Sequence, residues 1–123
     1  MNKLFIIIYF MACAATAQSV TSGAYTVSID HVTSQDSDYK GNYNIQKNGV
    51  IVASEKFSVM KLERTVSINI QEGDGYGNTA TYFYESKKFD CMGEEKEAKK
   101  YKDIKDIILN GILFYAELRF KEE

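Results

Sequence analysis

The sequence predicts an α+β domain. Its expected form is an antiparallel sheet of about six strands in the order β-β-β-β-β-α-β, with one C-terminal amphipathic helix packed on one face. Three observations carry this. Apolar residues alternate with a period of two through much of residues 25–86. Asn48-Gly49 is the strongest short hairpin signal, because a type I′ turn needs positive φ at both central residues. After Glu94 the spacing changes to threes and fours.

Tyr25, Val27 and Ile29 share one face of the first strand, with Thr26, Ser28 and Asp30 on the other. Gly41 to Lys47 forms the second, with Tyr43 and Ile45 on one side. A two-residue turn at Asn48-Gly49 sets Ile45 opposite Val52 and Tyr43 opposite Ser54 in the third. Ser58 to Glu63 reads as loop or bulge. Val66, Ile68 and Ile70 alternate in a fourth strand, and Thr79 to Ser86, rich in β-formers, makes a fifth. The intervening EGDGYGN, residues 72–78, holds three glycines and is a turn.

Glu94 to Asn110 reads as the helix. Ala98, Tyr101, Ile104, Ile107 and Ile108 fall at helical spacing, acids lead, and lysines follow. Asn110-Gly111 supplies the stop. Ile112, Phe114, Ala116, Leu118 and Phe120 then alternate as a last strand, residues 112–120. The rival is a helix that continues through Gly111, at a glycine cost of about 1 kcal/mol. The helix must bury its isoleucine stripe on the sheet, which either stays open or curls toward a small barrel.

The N-terminus reads as an address. Lys3 precedes eight apolar residues, Leu4 to Met11, and Ala15-Thr16-Ala17 fits a signal-peptidase site. The run is short of the roughly 20 apolar residues a membrane span needs. Residues 1–17 are therefore expected to be a cleaved signal peptide, 18–22 a disordered start, and 23–123 one domain. The expected product is secreted or periplasmic. Cys13 sits in a poor lipobox, so a lipid anchor there is not expected.

Composition excludes several chemistries. A formal net charge of −2, with acids interleaved among the lysines of residues 96–105, offers no clustered basic face for nucleic acid. Cys91 is the one cysteine beyond the leader, and His31 the one histidine. Together they cannot close a zinc site, and no cofactor is implied. Asp36, Asp38, Gly41, Asn42 and Asn44 fall on EF-hand positions, but Lys40 and Lys47 break the pattern, so a structural turn is expected. The glycine-rich loop joins two strands rather than leading into a helix, so it is no phosphate cradle. Tyr76 at its tip is a candidate contact residue. A Cys91–His31 dyad has no support from spacing, since His31 continues the Tyr25-Val27-Ile29 face toward the edge of the core. Cys91 is expected to be buried. Tyr39, Tyr43, Tyr82 and Tyr84 read as strand residues with exposed hydroxyls; the other reading is a contact face.

The expected function is that of an exported, non-enzymatic binding protein, a protein-interaction module of inhibitor or immunity type. One alternative is a small-ligand carrier with an apolar cavity between sheet and helix. Another is an enzyme using carboxylates or the His31/Cys91 pair.

Overall fold

The computed structural model describes residues 17–121 apart from Asp74 and Tyr76. The leader up to residue 16, with Cys13, and the loop residue Tyr76 lie outside the described residues. Eight strands follow in chain order: β1 (Ala17–Ser22), β2 (Tyr25–Gln35), β3 (Asp38–Lys47), β4 (Val50–Lys61), β5 (Thr65–Gln71), β6 (Gly77–Phe83), β7 (Lys88–Cys91) and β8 (Glu94–Glu97). Helix α1 (Ile104–Arg119) ends the fold. Each strand pairs antiparallel with its sequence neighbour, so the spatial order is the chain order. The sheet curls into a half-barrel, and α1 packs against β1, β2, β5, β6 and β7.

The α+β class holds, but the sheet has eight strands rather than six. Residues 18–22 are not a disordered start. They pair with β2 from Ala17↔Asp30 to Ser22↔Tyr25 around a two-residue turn at Gly23-Ala24, where Gly23 has φ +60°. Two more strands follow residue 86, the second where the start of a helix was expected. Met92-Gly93, with φ of 54° and 80°, has the two positive angles of a type I′ turn and folds β8 back on β7. Glutamates favour helices, yet Glu94–Glu97 forms an exposed edge of the sheet. A charged edge of this kind resists further strand pairing.

The helix begins at Ile104, with the Asp103 side chain accepting from the Lys105 amide at 2.9 Å as its N-cap. It runs through Gly111 to Arg119, so residues 112–120 are not a strand. Ile112-Leu113-Phe114-Tyr115-Ala116 is apolar without a break and buried on every side, which makes its period of two accidental. The cost of glycine in a helix, about 1 kcal/mol, is outweighed by burying these side chains at about 1.5–3 kcal/mol for each large one.

Two bulges change the register. In β3–β4, Lys47↔Val50 and Gln46↔Ile51 pair as a tight hairpin requires, but Ile45 then faces Ala53 and Tyr43 faces Glu55. Val52 is the extra residue, so the expected Ile45–Val52 and Tyr43–Ser54 pairs do not form. In β2–β3 the register shifts between Asp30↔Asn42 and Thr33↔Lys40, and His31 has φ +53°. The bulge turns His31 outward, with 80% of its side chain exposed, and Val32 packs toward the core. His31 is therefore not at the edge of the core. Ser58 to Lys61 continues β4 rather than forming a loop.

The inner face carries Val27, Ile29, Tyr43, Ile45, Phe57, Val59, Val66, Ile68, Ile70, Ala80, Tyr82 and Phe89, all buried in one core that α1 shares. Tyr43 and Tyr82 are buried core residues, and Tyr39 and Tyr84 pack against the core, so the four do not form an exposed contact face. No described helix is long and apolar enough to cross a membrane.

Candidate functional site

The residues tested first for chemistry do not converge. His31 lies on β2 and its Nδ1 is 2.9 Å from Asp30 Oδ1 at the surface. Cys91 is fully buried on β7, with four strands between it and β2 in the sheet order. Burial, helped by Asp90, pushes its thiol up to about 11. Asp36 lies in a turn while Asp38, Asn42 and Asn44 lie along β3, and no group of three or more potential metal-binding side chains occurs among the described residues.

Several other side chains do converge, at the C-terminal end of α1. A cleft of about 360 Å³ opens there between β3, the start of β4, the β5–β6 loop and the helix. Its lining includes Tyr43, Glu55, Glu72, Tyr115, Arg119 and Phe120, with Val52 and Ala53 forming an apolar wall. A larger depression, about 520 Å³, lies around Ser58, Met60, Ser67 and Asn69, where fewer charged groups meet.

Glu72 organises the cleft. It is the first residue after β5 and one side of the five-residue turn. Its Oε2 accepts from the Tyr115 hydroxyl, from Arg119 Nε at 3.1 Å and from Asn78 Nδ2 at 3.3 Å. The helix thus ends with two side chains clamped to one loop carboxylate. The Arg119–Glu72 pair is half exposed and contributes about 0–1 kcal/mol; its effect is to fix geometry. Lys47 Nζ donates to the Phe120 carbonyl at 2.7 Å, which holds a cation at the negative end of the helix.

The two tyrosines are fixed as neutral groups. The Tyr43 hydroxyl donates to the Gln71 carbonyl, and burial, reinforced by Glu55 and Glu72, raises its pKa to about 12. Tyr115 is raised as well, first by burial and then by its bond to Glu72, with Arg119 opposing. Each hydroxyl proton is committed to an acceptor, and both side chains are almost wholly buried.

Glu55 differs from Glu72. It follows the bulge at Val52, stands opposite Tyr43 and is half-buried. Its Oε2 lies close to Gly73, where an added Cβ would come within 3.3 Å. No described residue donates a hydrogen bond to its carboxylate or forms an ion pair with it. Beside it the hairpin presents Val50, Ile51 and Val52 to solvent, at 65%, 56% and 37% exposure.

No family model matches the chain, and neither the curated proteins nor the solved structures contain a match. None of Glu55, Glu72, Tyr115, Arg119 or Phe120 was singled out from the sequence. They come from three separate stretches, and no motif spacing joins them. The one local signal is Glu72, an acid that opens the glycine-rich turn.

Proposed function

We propose that this chain is an exported, non-enzymatic protein-binding module whose interface centres on the β3–β4 hairpin and the cleft beside it. The observation that supports the reading is the exposed run Val50-Ile51-Val52 against a cleft of tyrosine, arginine, phenylalanine and glutamate. Contiguous exposed apolar surface marks interaction sites. Arg119, half exposed beside this run, is of a residue type that often dominates binding energy. The carrier alternative fits less well, because α1 packs on β1, β2, β5, β6 and β7 and buries the apolar faces there itself.

The test is capture from the native envelope fraction, with mass spectrometry of bait and prey. Wild type is compared with an Ile51→Asp, Val52→Asp double variant. Both residues are exposed, so the variant keeps its fold, checked by circular dichroism. The expected result is a partner retained by wild type and lost by the variant. An unchanged set of captured proteins would remove the reading. The same bait gives the mature N-terminus, expected at Gln18; Met1 still attached would remove the exported part. A second reading, acid–base chemistry by Glu55 and Glu72, is favoured by the meeting of two carboxylates around Tyr43. It would displace the first if turnover of any substrate vanished in Glu55→Gln.

A further inference from the structure

We infer that the cleft receives one cationic side chain, the lysine or arginine of a partner, with Glu55 as its counter-ion. This rests on the partner-binding reading and names what the cleft would hold.

Charge is the first argument. Among the described residues the cleft is lined by two carboxylates, Glu55 and Glu72, and one guanidinium, Arg119, while Lys47 Nζ is engaged at the Phe120 carbonyl. Glu72 is already occupied by Tyr115, Arg119 and Asn78. The carboxylate open to a newcomer is Glu55. A half-buried carboxylate without a donor among the described residues makes a charge-assisted bond to an arriving cation at little rearrangement cost.

The walls give the second argument. A lysine or arginine carries its charge on an apolar stem, and the stem needs apolar wall. Val52 and Ala53 supply it on the way in. Tyr115 and Phe120 stand edge to face, 6.3 Å between centroids, and Arg119 lies 5.4 Å over the Phe120 ring. The Phe120 ring is thus occupied by Arg119, so the newcomer is held by Glu55 and not by this ring. An anion would meet the reverse, two carboxylates and one half-exposed guanidinium already bonded to Glu72.

The test uses ¹⁵N-labelled protein titrated with four blocked amino acids: the N-acetyl methylamides of lysine, arginine, norleucine and glutamate. Lysine and arginine are expected to give saturable shifts at Glu55, Gly73 and Tyr115, with dissociation constants of roughly millimolar order. Norleucine has the stem without the charge and should bind about tenfold more weakly or worse. Glu55→Gln should weaken the cationic probes by about tenfold and leave the rest of the spectrum in place. Norleucine binding as well as lysine, Glu55→Gln without effect, stronger binding of the glutamate probe, or no saturable shift would each overturn the inference. Partner capture that depends on Ile51 and Val52 while the cationic probes fail would leave the interface standing and remove its occupant. Probes that bind while capture ignores the hairpin would do the opposite.

Discussion

Gly111 of α1 lies against Ile68 of β5, so closely that a Cβ at position 111 would stand 2.5 Å from Ile68 Cδ1 and 3.2 Å from the Phe89 ring. The glycine is the point where the helix settles into the half-barrel. Gly111→Ala relieves a helix-propensity penalty of about 1 kcal/mol. It also forces one carbon into a filled core, which costs about 1–3 kcal/mol. The clash wins because Ile68 is fully buried and has no free space into which to turn. The expected net loss is about 1 kcal/mol in urea unfolding. An increase in stability would show that the core yields at this point.

Alkaline pH should unfold the protein through its buried phenols. Tyr43 has its pKa raised from 10.0 to about 12 in the folded state. Between those values the unfolded chain has lost its proton and the folded chain has kept it. Stability is then fully present below pH 10 and falls as pH rises toward 12. Tyr115 acts in the same direction. Melting temperature followed from pH 8 upward should drop in this window, and Tyr43→Phe should make the drop shallower. An equal slope in the variant would refute the assignment to Tyr43.

Cys91 should be chemically silent in the native protein. It is fully buried, and its thiol is pushed up to about 11, so little thiolate exists at pH 8. A disulfide reagent at pH 8 should label the peptide containing Cys91 only after denaturant is added, as located by mass spectrometry. Prompt labelling of the native state would mean that β7 opens far more readily than its burial indicates.

The bulge at Val52 makes an unusual deletion harmless. Removing Val52 lets Ala53 follow Ile51 directly, so the hairpin pairs without interruption and Phe57 and Val59 stay on the inner face. The variant should fold, with stability changed by no more than about 1 kcal/mol. Deleting Ser58 from the regular part of β4 instead sends Phe57 and Val59 to opposite faces, and cooperative unfolding should disappear. The pair of deletions, compared by circular dichroism and urea titration, checks the register.

These elements also show what the residues reveal before folding. The cores of β2, β3, β5 and β6 were legible because one face of each is buried and the other is polar, which writes a period of two into the chain. Asn48-Gly49 was legible because Asn48 and Gly49 both take positive φ, 53° and 82°. Met92-Gly93 does the same with a methionine that advertises nothing, so β7 and β8 passed unseen. Residues 112–116 misled because a helix buried on every side has no polar face to mark its turn. The His31 and Val52 bulges were invisible, since a single added residue leaves the composition of a strand unchanged. The cleft was the least legible part. Glu55, Glu72 and Tyr115 meet through sheet curvature and a register shift, and neither is encoded near any one of them.

The strictly consecutive strand order also governs how the molecule is completed during synthesis. Each hairpin can close as soon as its second arm has been made, since no strand awaits a distant mate. The greasy side of the growing sheet nevertheless stays wet until residues 104–119 arrive to cover it. A chain halted before Ile104 would have most of its strands paired and none of its interior sealed, the kind of surface chaperones and proteases engage. Until α1 is made, the buried face of the sheet has no cover from it.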